Sequence, residues 1–333
     1  MDTGKSLRKT GISPSGEIQL LHTLTTAPMN STFNLMANSR VIIVRKKGIL
    51  SPNRIPDLNS LICMFKRGFS LLNGPSDYKI FLQNLLKPND QIGIKINTLG
   101  GKILSTRPEV PQALTSLLIE SGIPSKNIII WDRTNRELKT AGYRLNMNNK
   151  GIKIFGTDSR GLGYEQDLTS HLNIGSRFSS IQSRIVTASI SLAIVKDHGL
   201  AGVTAGMKNY FGAIHNPNKY HDSNCNPFVA ELFSTDPIWK KHRISILDAL
   251  LLQYHRGPAY HSQWAAEYGA LIFSLDPVAA DFASWQIIEE LRFAKGLPTL
   301  KEEGREPLYL KTAEKMKLGN ASPVDINIIR EEI

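Results

Sequence analysis

Residues 189–198, Ser189-Ile190-Ser191-Leu192-Ala193-Ile194-Val195-Lys196-Asp197-His198, decide the fold. The apolar run SISLAIV reads as a buried strand, and it stops on Lys, Asp and His just before Gly199. The same grammar occurs twice upstream. Gln91–Asn97 (QIGIKIN) runs into the Gly-rich stretch Thr98–Gly101, and Asn127–Asp132 (NIIIWD) runs into Arg133. Helical patterns fill the gaps. Residues 56–72 place Leu58, Leu61, Ile62, Phe65 and Phe69 on one face, and a short helix follows around Tyr78–Leu86. Pro108 opens a helix that Gly122 and Pro124 stop, and another lies near Arg136–Ala141. Ser39–Arg45 and Ile152–Phe155 add strands on the N-terminal side.

Downstream, Ile244–Leu252 is apolar and Gly269–Phe273 is a short strand. Ser274 or Asp276 caps a helix to about Ala294, Leu308–Lys317 forms a further helix, and Val324–Ile329 returns as an edge strand. Strands alternating with helices predict an α/β protein: mostly parallel sheets with flanking helices, in two packed lobes of about 39–190 and 191–333. Residues 1–38, rich in Ser, Thr and Asn, are expected as a weakly structured arm.

Composition narrows the classes. The 333 residues are 41% apolar and 21% charged, which is globular and excludes a disordered or collagen-like chain. No apolar stretch approaches the ~18–20 residues of a membrane helix, so no span is expected. Two cysteines, Cys63 and Cys225, exclude a cysteine-ligated iron–sulfur cluster or a four-cysteine zinc site within the chain. The net charge of +11 is dispersed. Its densest groups, Arg45-Lys46-Lys47 and Lys240-Lys241-His242-Arg243, lack interleaved aromatics, so the expected partner is a small anionic ligand rather than a specific nucleic acid. The first 40 residues lack the apolar core of a signal peptide; as written the chain is expected in the cytoplasm, or exported if an upstream leader was removed.

Ligands in open α/β sheets bind beyond the carboxyl ends of the strands. That rule selects Asn97 after the first run, Asp132 after the second, and Lys196 and His198 after the third. It also draws in the segment KDHGLAGVTAGMKNYFG, where Gly199, Gly202 and Gly206 permit close backbone approach, Thr204 offers a hydroxyl, and Lys208 and Asn209 offer a cation and an amide. The spacing is neither a P-loop nor GxGxxG, so no nucleotide motif is present. Lys208 could hold a carboxylate or phosphate, attach covalently to a cofactor, or pair with a buried acid. The loop from His215 to Cys225 contains two His, an Asp and a Cys. His215, His221 and Cys225 are donors suited to a divalent zinc, nickel or iron; as a simple surface loop, the stretch would instead form Asx-type turns. Cys225 is also a candidate nucleophile beside His221 or His215, whereas Cys63 is expected in a helix core. Asp276 reads as a helix cap; the five-residue step to Asp281 does not put the two carboxylates on one face.

The chain resembles the family called domain of unknown function 362. The pattern is a strand ending in K-x-H, then Gly, Thr, and Lys-Asn before an aromatic and Gly: Lys196, His198, Gly202, Thr204, Lys208, Asn209, Phe211 and Gly212. Gly93-Ile94-Lys95-Ile96-Asn97, Asp248-Ala249, Gly257-Pro258, and Asp276-Pro277-Val278-Ala279 with Asp281 extend it over about 39–330. Many relatives carry a ferredoxin-like cysteine module, which this chain lacks. More distantly, His198-x3-Gly202-x3-Gly206-x-Lys208 is similar to a segment of the nickel-pincer lactate racemase family, whose lysine attaches the cofactor. Thr106-Arg107-Pro108, a helix, and Gly122-Ile123-Pro124 before IIIWD are also similar to that family's first motif. The chain departs at Leu104 and near Asn135, where the family has an acid and a His, and only His198 matches a base.

Together these readings imply an enzyme acting on a small anionic substrate. Lys208, Lys196 and Arg107 would hold negative charge, His198 would serve as acid/base, and Asn97, Asp132, Thr204 and Asn209 would orient ligand or cofactor. The alternative is a non-catalytic carrier of a metal or metal–cofactor complex on His215, His221 and Cys225.

Overall fold

The apolar runs become strands, and each ends where its polar residues begin. A computed structural model describes residues 38–72, 74 and 76–333; the expected arm at 1–38 lies, but for residue 38, outside the described residues. Strand β1 (Ser39–Arg45) leads to helices α1 (Leu58–Leu72) and α2 (Tyr78–Leu85). Then come β2 (Ile92–Ile96), α3 (Glu109–Glu120), β3 (Ile128–Asp132), α4 (Asn135–Thr140) and β4 (Lys153–Gly156). A small hairpin follows, β5 (Thr169–His171) with β6 (Ile174–Ser176), which carries no strong period-2 pattern and was not expected. The second half holds β7 (Ala188–His198), β8 (Gly202–Thr204), α5 (Phe228–Phe233), α6 (Asp236–Trp239), β9 (His242–Gln253) and β10 (Ala265–Ser274). It closes with α7 (Pro277–Ala294), α8 (Tyr309–Lys315) and β11 (Ile326–Glu332).

These strands form one nine-stranded sheet in the order β11-β1-β10-β9-β7-β2-β3-β4, with β8 folded back on β7. Pairs β1·β11, β7·β9, β2·β7, β2·β3 and β3·β4 are parallel, and β10 and β8 run against their neighbours. The α/β, mostly parallel architecture is therefore present. The expected lobe boundary near 190 falls inside β7, and strands from both sides of it share this sheet. The two apolar cores are the sheet's two faces. Helices α1 to α4 pack on one through Leu61, Phe65, Phe81, Leu114 and Leu138, and α5 to α8 on the other through Phe233, Ile238, Ile287 and Leu310.

Local chemistry explains the helices. In α1 the buried positions 61, 64, 65, 68, 69 and 72 recur at helical spacing. Gly68 lets the Phe273 ring lie against the helix; a Cβ there would sit 2.4 Å from that ring. Position 63 falls off this stripe, so Cys63 is exposed rather than in the core. Asp276 caps α7 by accepting from the N–H groups of Val278 and Ala279, with Pro277 at the first turn.

Candidate functional site

Strands β2, β3 and β7 are adjacent and parallel, so their carboxyl ends deliver side chains to one place. The first arrival is one the strand-end rule passes over. Lys95, inside β2 and buried, donates from Nζ to Asp132 Oδ1 (2.6 Å), Ile96 O (2.7 Å) and Asn209 Oδ1 (3.1 Å). Three protons meet three acceptors. Asp132, at the end of β3, is equally saturated: Oδ2 accepts from Thr98 N (2.7 Å) and Thr98 Oγ1 (2.6 Å), and Oδ1 also accepts from Arg133 N (2.8 Å). Asn209 gives its amide hydrogens to Lys95 O (2.7 Å) and Ser191 Oγ (3.1 Å). Asp132 and Asn209, expected to orient ligand or cofactor, are both members of this buried frame. The sequence signal was available: a lone lysine among isoleucines in a buried strand needs a partner.

Lys196 is different. Strand β7 continues through Lys196 and His198, so both sit on the strand rather than in a loop beyond it. Lys196 Nζ is buried with no hydrogen-bond partner among the described residues. Burial pushes its pKa down to about 8; Asp132 nearby opposes the shift and the Lys208 charge adds to it. Lys208 lies in a 3-10 turn, Lys208–Ala213, and is likewise pushed down to about 8 by burial. Among the described residues no acid lies within salt-bridge distance of it. Its Nζ stands 3.2 Å from His221 Nε2 and 4.2 Å from the Phe211 ring centre.

The two histidines are locked in opposite tautomers. His198 Nδ1 accepts from Leu200 N (3.2 Å) and Ala201 N (3.1 Å), so the neutral ring carries its proton on Nε2. His221 Nδ1 faces Pro217 O at 3.1 Å and must donate, which leaves Nε2 as the acceptor toward Lys208. The rings stack at 5.5 Å and 24°. Burial first, then the charges of Lys208, His221 and Lys196, hold His198 down to about 2. The ring is thus held neutral with its Nε2–H as a donor.

Other expected residues go elsewhere. Thr204 faces Lys196 across the β7·β8 ladder, with its hydroxyl in none of the described hydrogen bonds. The Asn97 backbone is tied to Thr106, while Asn97 Oδ1 is buried with no partner among the described residues. Arg107 belongs to another group: its charge responds to Asp248, Glu109 and Arg54, and burial lowers its pKa. His215 is exposed and packs on Tyr164 at 5.2 Å, whereas Cys225 is buried with Sγ 4.0 Å from His221 O. Among the described residues no three His, Cys, Asp or Glu side chains converge as metal ligands, so the trio His215, His221 and Cys225 is not assembled. Closeness in sequence failed here because two successive short turns, Pro217–Tyr220 and Asp222–Cys225, swing the side chains apart.

A three-layer α/β protein with a buried lysine cluster at its strand ends is the class that fold and site define. The profile of the family described as a domain of unknown function (DUF362) matches residues 85–286, and the chain belongs to that family. A thylakoid-associated protein of Synechocystis is 27% identical over 219 residues, which is 62% of this chain and 65% of that relative, just under two thirds of its length. Two solved structures share a loose likeness. A Thermotoga maritima protein gives a TM-score of 0.43 at 11% identity over 73% of this chain and 60% of its own. The lactate racemase apoprotein of Thermoanaerobacterium thermosaccharolyticum gives 0.40 at 14% over 75% and 57%. Among the described residues no helix is long and apolar enough to cross a membrane.

Proposed function

We propose that the end of β7 binds a small anion, a carboxylate or phosphate group, between Lys196 and Lys208, with His198 donating to it from Nε2. One observation carries this reading: the buried Lys196 ammonium has three donors and, among the described residues, no acceptor. Such a group costs several kcal/mol of desolvation unless something compensates it, at roughly 2–7 kcal/mol even for a neutral polar group. An anion supplies both charge and lone pairs.

The same geometry supports proton transfer on the bound anion. Lys208, held near a pKa of about 8, gains or loses a proton close to neutral pH, and His221 Nε2 accepts from it at 3.2 Å. Lys208 with His221 is then the acid/base pair, and His198 polarises an oxygen. The metal-carrier alternative has no such supporting geometry.

Thermal-shift and calorimetric titrations with phosphate, acetate and oxalate test the proposal. The expected result is saturable stabilisation at pH 7, about 2.7 kcal/mol at a hundredfold excess over Kd, which fades as pH rises through 8 and disappears in Lys196→Met. Retained binding in that variant, or no response to any of the three anions, sinks it.

A further inference from the structure

Asp281 is a fully buried carboxylate on α7, and neither lysine nor histidine of the cluster touches it. It accepts from Gly206 N at 2.7 Å, Met207 N at 3.2 Å and Tyr309 Oη at 3.0 Å. Met207 immediately precedes Lys208. The other side of the same turn is held by Ser191 Oγ, which donates to Gly206 O at 2.9 Å and accepts from Asn209 Nδ2. The backbone comes so near the carboxylate that a Cβ at Gly206 would lie 3.2 Å from Asp281 Oδ1 and 3.0 Å from Ser245 Oγ.

We propose that Asp281 is a positioning residue for the anion site: its carboxylate, steadied by the Tyr309 hydroxyl, clamps the Gly206–Met207 turn and so sets Lys208 against His221. The link to anion binding rests on the function proposed above; the clamp itself does not. On its helix the carboxylate lies among buried Val278, Ala279, Phe282 and Ala283, so its desolvation cost is offset only by the three donors it accepts. A carboxylate there is useful because it accepts more than one N–H at once.

The clamp is ionised only in part near neutrality. Burial pushes the Asp281 carboxyl up to about 7; Tyr309 and the two amides oppose this and Asp276 reinforces it. Tyr309 from α8 and Asp276 at the head of α7 are the titratable groups that act on it, and Ser245 from β9 lies against Gly206 beside it. Tyr309 is itself held well above the ordinary tyrosine value and stays protonated.

The test uses the full chain. Amide exchange of peptides covering residues 206–208 is followed from pH 5.5 to 8.5, corrected for intrinsic rate, alongside phosphate affinity. Wild-type protection should rise on the order of tenfold through pH about 7, as a neutral acceptor becomes a charge-assisted one. Asp281→Asn should flatten that dependence and weaken phosphate binding about tenfold, with no fall in Tm at pH 8. An unchanged exchange profile overturns the clamp, and so does a fall in Tm that parallels the lost protection, as a merely structural residue would give. If Asp281→Asn does not fold, Tyr309→Phe decides: losing that donor moves the midpoint upward, and an unmoved midpoint overturns the proposal. A pH-dependent wild-type profile with no phosphate binding would leave the clamp standing and remove the anion reading instead.

Discussion

Lys196 and Lys208 are charged groups that the folded chain holds at a cost. Their folded pKa values of about 8 lie below the ordinary 10.5, so between those values the unfolded chain binds more protons. Stability therefore rises with pH across that window, and the cost of burying the cations is fully present below it. Without added anion, Lys196→Met should be more stable than wild type at pH 7, with the gain shrinking toward pH 10; urea melts at several pH values check this. His198 makes a separate prediction. Its ring should show the 15N pattern of a neutral Nε2–H tautomer from pH 8 down to 4, with no titration near 6.5, because burial and the neighbouring cations suppress protonation. A step near pH 6 would restore His198 as a base. The strand-end rule found Asp132, Lys196 and His198, since strand polarity alone fixes which end of the sheet they reach. It missed Lys95 and Asp281, whose roles depend on partners 37 and 74–75 residues away.

At the scale of elements, most strands and helices were legible from short-range pattern. Observed β2, β3, α3 and α7 begin and end within a residue or two of the reading, because proline, glycine and capping aspartate mark their ends. Strand β10 extends on its N-terminal side beyond the expected 269–273, since residues 265–267 pair with β9 before a bulge at Glu267/Ala270. The hairpin β5–β6 and helices α5 and α6 escaped notice because each is short and their partners are remote in sequence. Gly93 tests the packing of β2. It shares a strand face with Lys95, two residues on, and a Cβ at 93 would come 2.5 Å from Val186 Cγ2. Gly93→Ala should cost about 1–3 kcal/mol by overpacking, read as a lower urea midpoint, and should weaken anion binding because Lys95 must move with the strand. Equal stability would show that Val186 gives way freely.

Across the whole molecule, buried charge ties the site to the second core. Asp197, between Lys196 and His198 on β7, accepts from Arg305 Nη1 at 2.8 Å and from Gly257 N at 2.7 Å, and lies 4.0 Å from Arg292. Arg292 is completely buried on α7, where it donates to Pro298 O and Tyr254 O and pairs with Glu303 at 2.6 Å. Arg305 also donates to His198 O at 3.0 Å. Arg292→Met should cost about 3–5 kcal/mol, because it takes the donor from two carbonyls and leaves Glu303 with Arg305 alone. Chemical denaturation measures this, and a loss under about 1 kcal/mol would mean Arg305 alone sustains the network. None of this was legible in the sequence, where these residues are scattered acids and bases over more than a hundred positions.

The pairing of β1 with β11 carries a consequence for how the chain is made. Ser39 to Arg45 lie in register with Ile326 to Glu332, and Ser39 Oγ donates to Asp276 Oδ2 and accepts from Asn320 Nδ2. During synthesis β1 emerges well before its two hydrogen-bonded neighbours, β10 and β11. Until they follow, this strand has both edges open, a template for any stray extended segment. Strands β2, β3 and β7, which carry Lys95, Asp132 and Lys196, can pair with one another well before that. The nascent chain thus acquires its charged centre before it can seal β1.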